Sequence, residues 1–229
     1  MNDRRAFTLL ELLLGVAVIG ILALLVMSYA QGFRDKANAA QCISNLRAIS
    51  SGLFAYAAEH NGSVMPKVPK GLSLWPPAID TYIGGLGTGL GYDKVTSPVW
   101  ACPENRDQVR LFKTKGYAGA VNTGYPINSH LRRESADGSE IYGIPMSAIL
   151  HPARKVYLIE SCQIATGKFG PKTAMLYTPY DYYAWMKQVH PPGNNVLFCD
   201  GHIEPVKPEH DLCSKSEAVA RRWWLPAAE

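Results

Sequence analysis

Three ionisable residues near the C-terminus, His190, Asp200 and His202, are of types that could bind a metal ion. Imidazole and carboxylate groups are ordinary ligands of zinc and related metals. Asp200 and His202 fall at a turn where their side chains need not converge, and the sequence offers no evident fourth ligand. We therefore favour a structural interpretation, in which Asp200 caps the turn and His190 hydrogen-bonds a nearby loop. We predict no metal and no other cofactor.

Cys199 lies beside Asp200, so that with His190 it imitates a nucleophile, a base and an orienting group. Adjacent residues of a strand point to opposite faces of the sheet. Cys199 and Asp200 should therefore not share a pocket unless a bulge intervenes. We therefore predict that the protein is not an enzyme, and we keep a hydrolase head as an alternative.

Glu11 is also unusual, because it is a carboxylate one turn inside an apolar segment. No residue from Leu12 to Phe33 is charged, and these 22 residues would form a helix of about 33 Å, enough to cross a hydrocarbon core of about 30 Å. A carboxylate there costs about 2.5 kcal/mol or more unless it finds a partner. Glu11 either reaches headgroup water at the interface or neutralises a positive group.

Residues 5–13 resemble the type IV prepilin processing site of the pilin and type II secretion pseudopilin families. In those families a small residue, usually Gly, precedes an aromatic residue, and a Glu falls five residues into the mature chain. Here Ala6 replaces the usual Gly, Phe7 is the aromatic residue and Glu11 takes the acidic position. The resemblance implies that a membrane-embedded prepilin peptidase cuts between Ala6 and Phe7 and methylates the new amine of Phe7.

The spacing of Glu11 from Phe7 has an electrostatic explanation. Cleavage would create an ammonium at a helix N-terminus, where the helix dipole disfavours positive charge. In filaments of the resembled family, the Glu of an incoming subunit pairs with the terminal amine of a neighbour and sets the axial stagger. An unpaired buried charge costs several kcal/mol, so the pair can fix the register. The expected partners are prepilin peptidase, other pilin or pseudopilin subunits and inner-membrane lipid.

The orientation of the chain follows from Arg4 and Arg5, which should stay on the cytoplasmic side of the membrane. We expect a single-pass inner-membrane protein with its head in the periplasm, which enters a periplasmic or extracellular filament on assembly. Ser28-Tyr29-Ala30 would also suit an ordinary signal peptidase. The apolar run exceeds the 7 to 15 residues typical of a signal peptide. We keep two alternatives: secretion of a hydrolase after Ala30, and an envelope protein in which the apolar helix is a plain membrane anchor for a ligand-binding head.

The helix should continue beyond the apolar segment to a stop signal at Asn61-Gly62. One of its faces carries apolar residues at alternating steps of three and four, namely Ile43, Leu46, Ile49, Leu53 and Tyr56. We divide the chain into a leader (1–6), a transmembrane or filament-core helix (7–30), an amphipathic continuation of that helix (31–60) and a globular head (61–229).

The head is predicted to be α+β and pilin-like, with a small antiparallel sheet packed on the second half of the long helix. Glycine and proline predict loops at 75–77 and 84–91. A short C-terminal helix is expected over 218–224, with Trp223 and Trp224 closing the core. Strands are predicted over 99–102, 117–122, 155–160, 195–199 and 202–206. The last two flank Asp200-Gly201, a dipeptide that favours a two-residue type I′ hairpin turn.

The segment from His190 to Gly201 resembles the His-x9-Asp-Gly signature of a large family of prepilin-like proteins abundant in planctomycetes and related bacteria. Residues 41–49, leading to Tyr56, and residues 100–103 also look similar to that family. The resemblance implies that His190, Asp200 and Gly201 form a structural turn signature.

Composition bounds the remaining possibilities. The chain has 229 residues, 47% of them hydrophobic, and a net charge of +4 that is scattered along the sequence, so we predict no nucleic-acid partner. Its five cysteines include no C-x-x-C pair, which leaves zinc ribbons and thioredoxin-like sites without support. Up to two disulfides are possible in an oxidising compartment, and the pairing stays open. Cys162 and Cys199 lie in strand-like runs that suit small buried side chains.

Overall fold

The computed structural model describes residues 8–69, 75–86, 97–100, 102–103, 125, 127–160, 175–176, 193–207, 209–213 and 216–226. Ala6, Phe7, Cys162, His190 and the strand predicted over 117–122 lie outside these residues.

A single long helix, α1 (Leu9–Glu59), runs from the N-terminal region into the head. Its 51 residues correspond to about 77 Å of helix. The helix ends where Asn61 and Gly62 adopt positive φ angles of 53° and 74°, and the Gly62 amide donates to the Ala57 carbonyl at 2.8 Å. Left-handed residues with such bonds are a common way to end a helix. The predicted long helix and its stop signal are confirmed.

The second half of α1 buries the apolar face that the sequence predicts. Leu46, Ile49 and Leu53 are fully buried and Tyr56 nearly so, whereas Ile43 is half-buried. Gly52 lets the helix approach the next segment closely, because a Cβ atom there would lie 2.6 Å from Ile83 Cγ2. This half of α1 is therefore the central helix of the head.

The described strands form two sheets. A three-stranded antiparallel sheet has the order β1-β4-β3, from β1 (Val68–Pro69), β3 (Arg132–Glu134) and β4 (Glu140–Gly143). A five-stranded sheet has the order β6-β2-β5-β7-β8, with only the β2–β6 pair parallel. Its strands are β2 (Ile127–Asn128), β5 (Val156–Ile159), β6 (Met175–Leu176), β7 (Asn194–Phe198) and β8 (Ile203–Val206). The predicted α+β, pilin-like arrangement is confirmed.

The central strands of the five-stranded sheet bury both faces. On β7, Leu197 belongs to the core that includes α1, whereas Val196 and Phe198 belong to a second core. That second core also contains Trp224 of the C-terminal helix (Glu217–Trp224). The predicted C-terminal helix and the burial of Trp224 are confirmed, and Trp223 is half-buried. The two-sided burial explains the continuous apolar sequence of β5 and of residues 196–198 in β7.

The hairpin between β7 and β8 is present, but its predicted turn type is wrong. The Gly201 amide donates to the Phe198 carbonyl and the Phe198 amide to the His202 carbonyl, both at 3.0 Å. Only Gly201 has a positive φ, at 95°, and Asp200 does not. The loop is therefore a three-residue turn that ends in a left-handed glycine, and a type I′ turn would need two consecutive positive φ angles.

Two further local predictions are wrong. Residues 75–77, expected in a loop, begin the helix α2 (Trp75–Asp80), because proline is well tolerated in the first turn of a helix. Part of the strand expected over 99–102 is instead a 3-10 helix, which spans Pro98–Trp100. The buried Asp80 carboxylate holds this helix by accepting from the Ser97 amide at 3.1 Å and from Trp100 Nε1 at 2.8 Å. The later helix (Glu217–Trp224) is α3.

A disulfide joins Cys42 in α1 to Cys102, which lies two residues after the 3-10 helix Pro98–Trp100. The two cysteines are 60 residues apart in the sequence. Both residues are fully buried. Cys199 is a buried free cysteine, as expected for a small apolar side chain. The sequence left the pairing open, and the structure supplies it.

The turn between β3 and β4 is organised by Asp137, whose carboxylate accepts from the Ser135 hydroxyl at 2.5 Å and from the Ser139 amide at 3.0 Å. These bonds lower the pKa of Asp137 from 3.8 to about 2. The pKa of Asp137 is lower in the folded chain than in the unfolded chain. The carboxylate therefore contributes fully to the stability of the turn above pH 3.8, and this contribution is lost as the pH falls towards 2. We expect amide exchange at Gly138 and Ser139, followed by NMR and expressed relative to the intrinsic rate at each pH, to accelerate over that interval.

The control for this titration is Asp137→Asn, which keeps the shape of the side chain and removes its charge. In this variant, the exchange rate of the two amides relative to the intrinsic rate should not change between pH 4 and about pH 2. A wild-type turn that shows no acceleration in the same interval would contradict the role given to Asp137.

Candidate functional site

The first half of α1 exposes its apolar side chains on every side. Leu9 is 81% exposed, Leu13 63% and Phe33 70%, and nothing in the described structure covers them. By length and composition this part of α1 could cross a membrane. An apolar surface of this extent is unstable in water and needs lipid or other apolar helices around it.

Glu11 lies at the start of this exposed segment and forms a capping box with Thr8. Glu11 Oε2 accepts from the Thr8 backbone amide and from the Thr8 hydroxyl, each at 2.9 Å. In return, the Glu11 amide donates to Thr8 Oγ1 at 3.3 Å. Thr8 is the N-cap of α1 and has an extended backbone. The carboxylate is therefore held over the first turn, where the positive end of the helix dipole favours it.

The sequence interpretation missed Thr8 as a positioning residue. The spacing Thr8-x-x-Glu11 is that of a capping box, and it precedes an apolar run. The same spacing, Ser214 to Glu217, indicates the start of the C-terminal helix, so the signal was available at both ends of the chain. Ala6 and Phe7 lie outside the described residues, and their predicted roles are not tested by the geometry.

Asp200 and His202 converge more closely than the sequence suggested. Asp200 Oδ1 accepts from the His202 amide at 3.1 Å and lies 2.6 Å from His202 Nδ1. The His202 ring stacks on Phe198 with centroids 4.3 Å apart. The expectation that the two side chains need not converge is therefore corrected, because a three-residue turn places both above the end of β7. The predicted capping of the turn by Asp200 is confirmed, whereas His190 lies outside the described residues.

Cys199 does not share a pocket with Asp200. Its thiol is 1% exposed and lies in the core with α1, whereas Asp200 is exposed. Burial raises the pKa of the Cys199 thiol, so the reactive thiolate is disfavoured. Its Sγ lies 3.8 Å from the Val156 carbonyl oxygen. This geometry opposes a thiol nucleophile at the hairpin.

Among the described residues, one group brings three potential metal-ligating side chains within 4.8 Å of one another: Cys42, Cys102 and Glu160. Its two sulfur atoms are joined in the disulfide, so they are not thiolate ligands. Glu160 is 1% exposed and accepts from Asn195 Nδ2 at 2.8 Å. These three side chains therefore pack together in the buried interior of the head.

Comparison with known proteins bears on the N-terminal site. Residues 1–27 match the family described as the prokaryotic N-terminal methylation motif, which spans Ala6, Phe7, Thr8 and Glu11. The chain is prepilin-like. This prepilin-like chain is also 36% identical over 71 residues to the type II secretion system core protein G of Klebsiella michiganensis, a match that covers 31% of the chain.

The similarity to the secretion protein is distant and partial. The prepilin-like chain spans 49% of the length of that curated relative. No solved structure matches the chain. The comparisons therefore support the motif and a distant relationship to a type II secretion pseudopilin, and they carry no information on the His190 to Gly201 signature. The motif together with the apolar half of α1 is consistent with anchoring in the inner membrane.

Proposed function

We propose that this chain is a structural subunit that prepilin peptidase cuts between Ala6 and Phe7 and methylates at Phe7. The mature subunit then assembles into a pilus or a type II secretion pseudopilus, with Glu11 as the assembly carboxylate. In this proposal residues 1–6 are the leader, 7–30 the transmembrane or filament-core helix, 31–60 its amphipathic continuation and 61–229 the head. The chain is a structural component and not an enzyme.

The observation that carries this proposal is the exposure of the apolar half of α1 on all sides, with one carboxylate in its first turn. An anchor needs an apolar helix, but it does not need a carboxylate there, and placing one costs free energy. A filament subunit uses both features, because its helix moves from lipid into a bundle of identical helices. The terminal amine of a neighbour then offers Glu11 a partner of opposite charge.

The disulfide supports a head on the outer side of the inner membrane. Cys42 and Cys102 are bonded, and such bonds persist in oxidising compartments and are rare in the cytosol. Arg4 and Arg5 precede the apolar segment, so the positive-inside tendency places the opposite end of the segment outside. Both arguments favour a periplasmic head before assembly.

The proposal is tested by the N-terminus of the mature chain. We expect mass spectrometry of the protein, made in cells with an active prepilin peptidase, to find a chain that begins at Phe7 and carries one added methyl group. A chain that begins at Gln31 would support the secreted alternative, and a chain that keeps Met1 would support the plain anchor. Either of these outcomes would contradict the proposal.

The matched control is Ala6→Arg, since a large charged side chain replaces the small residue before the cut. This variant should keep residues 1–6 and lack the methyl group, while the helix and head remain the same. If Ala6→Arg were cut at Phe7 as completely as the wild type, the enzyme responsible would not be one that requires a small residue at this position.

A further inference from the structure

An open groove lies in the head at the end of α1, with a volume of about 680 Å³. One wall is the last turn of α1, with Tyr56, Glu59 and His60. The other wall is the β3–β4 hairpin, with Glu140 and Tyr142. The groove is remote in sequence from Glu11 and takes no part in the proposed assembly chemistry.

Flat aromatic rings form part of the groove. The His60 ring stacks on Tyr56, with centroids 3.8 Å apart and planes inclined by 6°, so its other face is available to a ligand. The Tyr56 ring is supported by Tyr82, which meets it edge-on at 5.9 Å. Tyr142 on the opposite wall is 36% exposed. These rings offer apolar faces on both walls of an otherwise polar groove.

The polar groups of the groove combine donors and acceptors. Lys67 Nζ lies 2.6 Å from Glu140 Oε2, and this contact raises the pKa of Lys67. Glu59 Oε2 accepts from the Tyr82 hydroxyl at 2.6 Å, which helps to raise the pKa of Tyr82 to about 12. His60 Nδ1 lies 2.9 Å from the Tyr56 carbonyl oxygen and donates to it, since a carbonyl oxygen can only accept.

The two walls are fixed to each other before any ligand arrives. The Ser63 hydroxyl lies between the carbonyl oxygens of Met65, at 2.9 Å, and Gly143, at 3.2 Å. A Cβ atom on Gly143 would lie 2.2 Å from the Met65 amide nitrogen, so the chains can approach this closely only with glycine. Asp137 holds the turn at the tip of the hairpin. A preformed groove of this kind costs a ligand little ordering free energy.

We propose that this groove binds a neutral polysaccharide. The ring faces of His60 and Tyr142 suit the apolar C–H faces of pyranose units, and the carboxylates of Glu59 and Glu140 accept hydrogen bonds from hydroxyl groups. Lys67 donates to ring or hydroxyl oxygens. Because the groove is open, a chain can continue beyond it at either end. Two carboxylates against one ammonium disfavour phosphate-rich ligands, and Lys67 opposes a polycationic one.

The experiment uses the full mature chain in lauryldimethylamine oxide micelles, because this detergent has no sugar headgroup to compete. Cellohexaose, maltohexaose and chitohexaose are titrated separately and followed by calorimetry and by saturation-transfer NMR. We expect saturable binding of at least one of them. Tyr142→Ala should weaken that binding at least about fivefold, since an aromatic contact contributes about 1 kcal/mol or more.

The matched control is Leu150→Ala, which removes another exposed apolar side chain of the head outside the groove. It should leave the affinity unchanged, and Glu59→Gln should lower it without altering the fold. The proposal is overturned if none of the three sugars binds saturably, or if Tyr142→Ala binds as tightly as the wild type. Saturable binding of hexalysine or of a phosphate oligomer in place of the sugars would also overturn it. Each of these results leaves the N-terminal processing test unaffected.

Discussion

Cells that make the Glu11→Val chain are expected to process it normally and yet to leave it out of filaments. Breaking a buried ion pair by removing one partner costs about 3–5 kcal/mol, because the other charge stays buried and unpaired. At 1.4 kcal/mol for each factor of ten, incorporation should fall by about 100-fold or more. Cleavage should persist, since the bond between Ala6 and Phe7 lies four residues before the altered side chain in the sequence.

The geometry at Thr8 makes this prediction specific to a carboxylate. Glu11 Oε2 accepts two hydrogen bonds from Thr8 and is thereby held at the N-terminus of α1. Valine can accept neither bond. Glu11→Gln keeps an acceptor oxygen without the charge, so we expect it to assemble better than Glu11→Val and worse than the wild type. Immunoblots of sheared filaments and of membranes give the incorporated fraction of each variant.

Asp35→Val is the matched control for Glu11→Val. Asp35 is an exposed acid on the same helix, beyond the charge-free segment from Leu12 to Phe33. Its loss should change incorporation by less than about fivefold, because an exposed carboxylate contributes under 1 kcal/mol. Normal assembly of Glu11→Val, or an equal defect in Asp35→Val, would contradict the role proposed for the assembly carboxylate.

Strong local periodicity made part of the fold predictable. The charge-free run and the apolar stripe that follows it specify α1, and Asn61-Gly62 specifies its end because both residues tolerate positive φ. The hairpin of β7 and β8 is likewise local, as its strands are separated by four residues. The prediction of its turn failed because Asp-Gly also fits a three-residue turn, where only Gly201 needs a positive φ.

Non-local contacts account for most of the rest. β1 has only two residues, one of them proline, and it pairs with β4 more than seventy positions later, so no period-two pattern marks it. The 3-10 segment at 98–100 depends on the buried carboxylate of Asp80, which a local window cannot reveal. The groove at the end of α1 was missed for the same reason, since Tyr56 and Tyr142 are brought together only by the fold.

Glu11 could be predicted from the sequence, whereas the role of Thr8 beside it was missed. A carboxylate in an apolar segment is costly, so Glu11 could be selected without knowing the fold. The part played by Thr8 follows from a helix-capping pattern that is visible in the sequence but has no charge to draw attention to it. Convergence of Asp200 and His202 could not be predicted, because it depends on the turn type.

The second large effect is expected from the double variant Cys42→Ala/Cys102→Ala, which should lose about 4 kcal/mol of unfolding free energy. The crosslink closes a loop across 60 residues, and the chain-entropy estimate for a loop of that length is about 4 kcal/mol. Urea unfolding followed by tryptophan fluorescence measures the loss. Trp75 and Trp100 report on the region directly, because their rings meet edge-on at 5.4 Å and Trp100 is two residues from Cys102.

Cys199→Ala separates the crosslink from the packing of a sulfur atom. Cys199 is as buried as the bonded pair but is free, so its loss should cost only about 1 kcal/mol. If the double variant unfolds at the same urea concentration as the wild type, the disulfide does not constrain the unfolded chain and does not stabilise the head. A loss near 4 kcal/mol would instead mean that the head reaches its full stability only where disulfides form, which ties its folding to the oxidising side of the membrane.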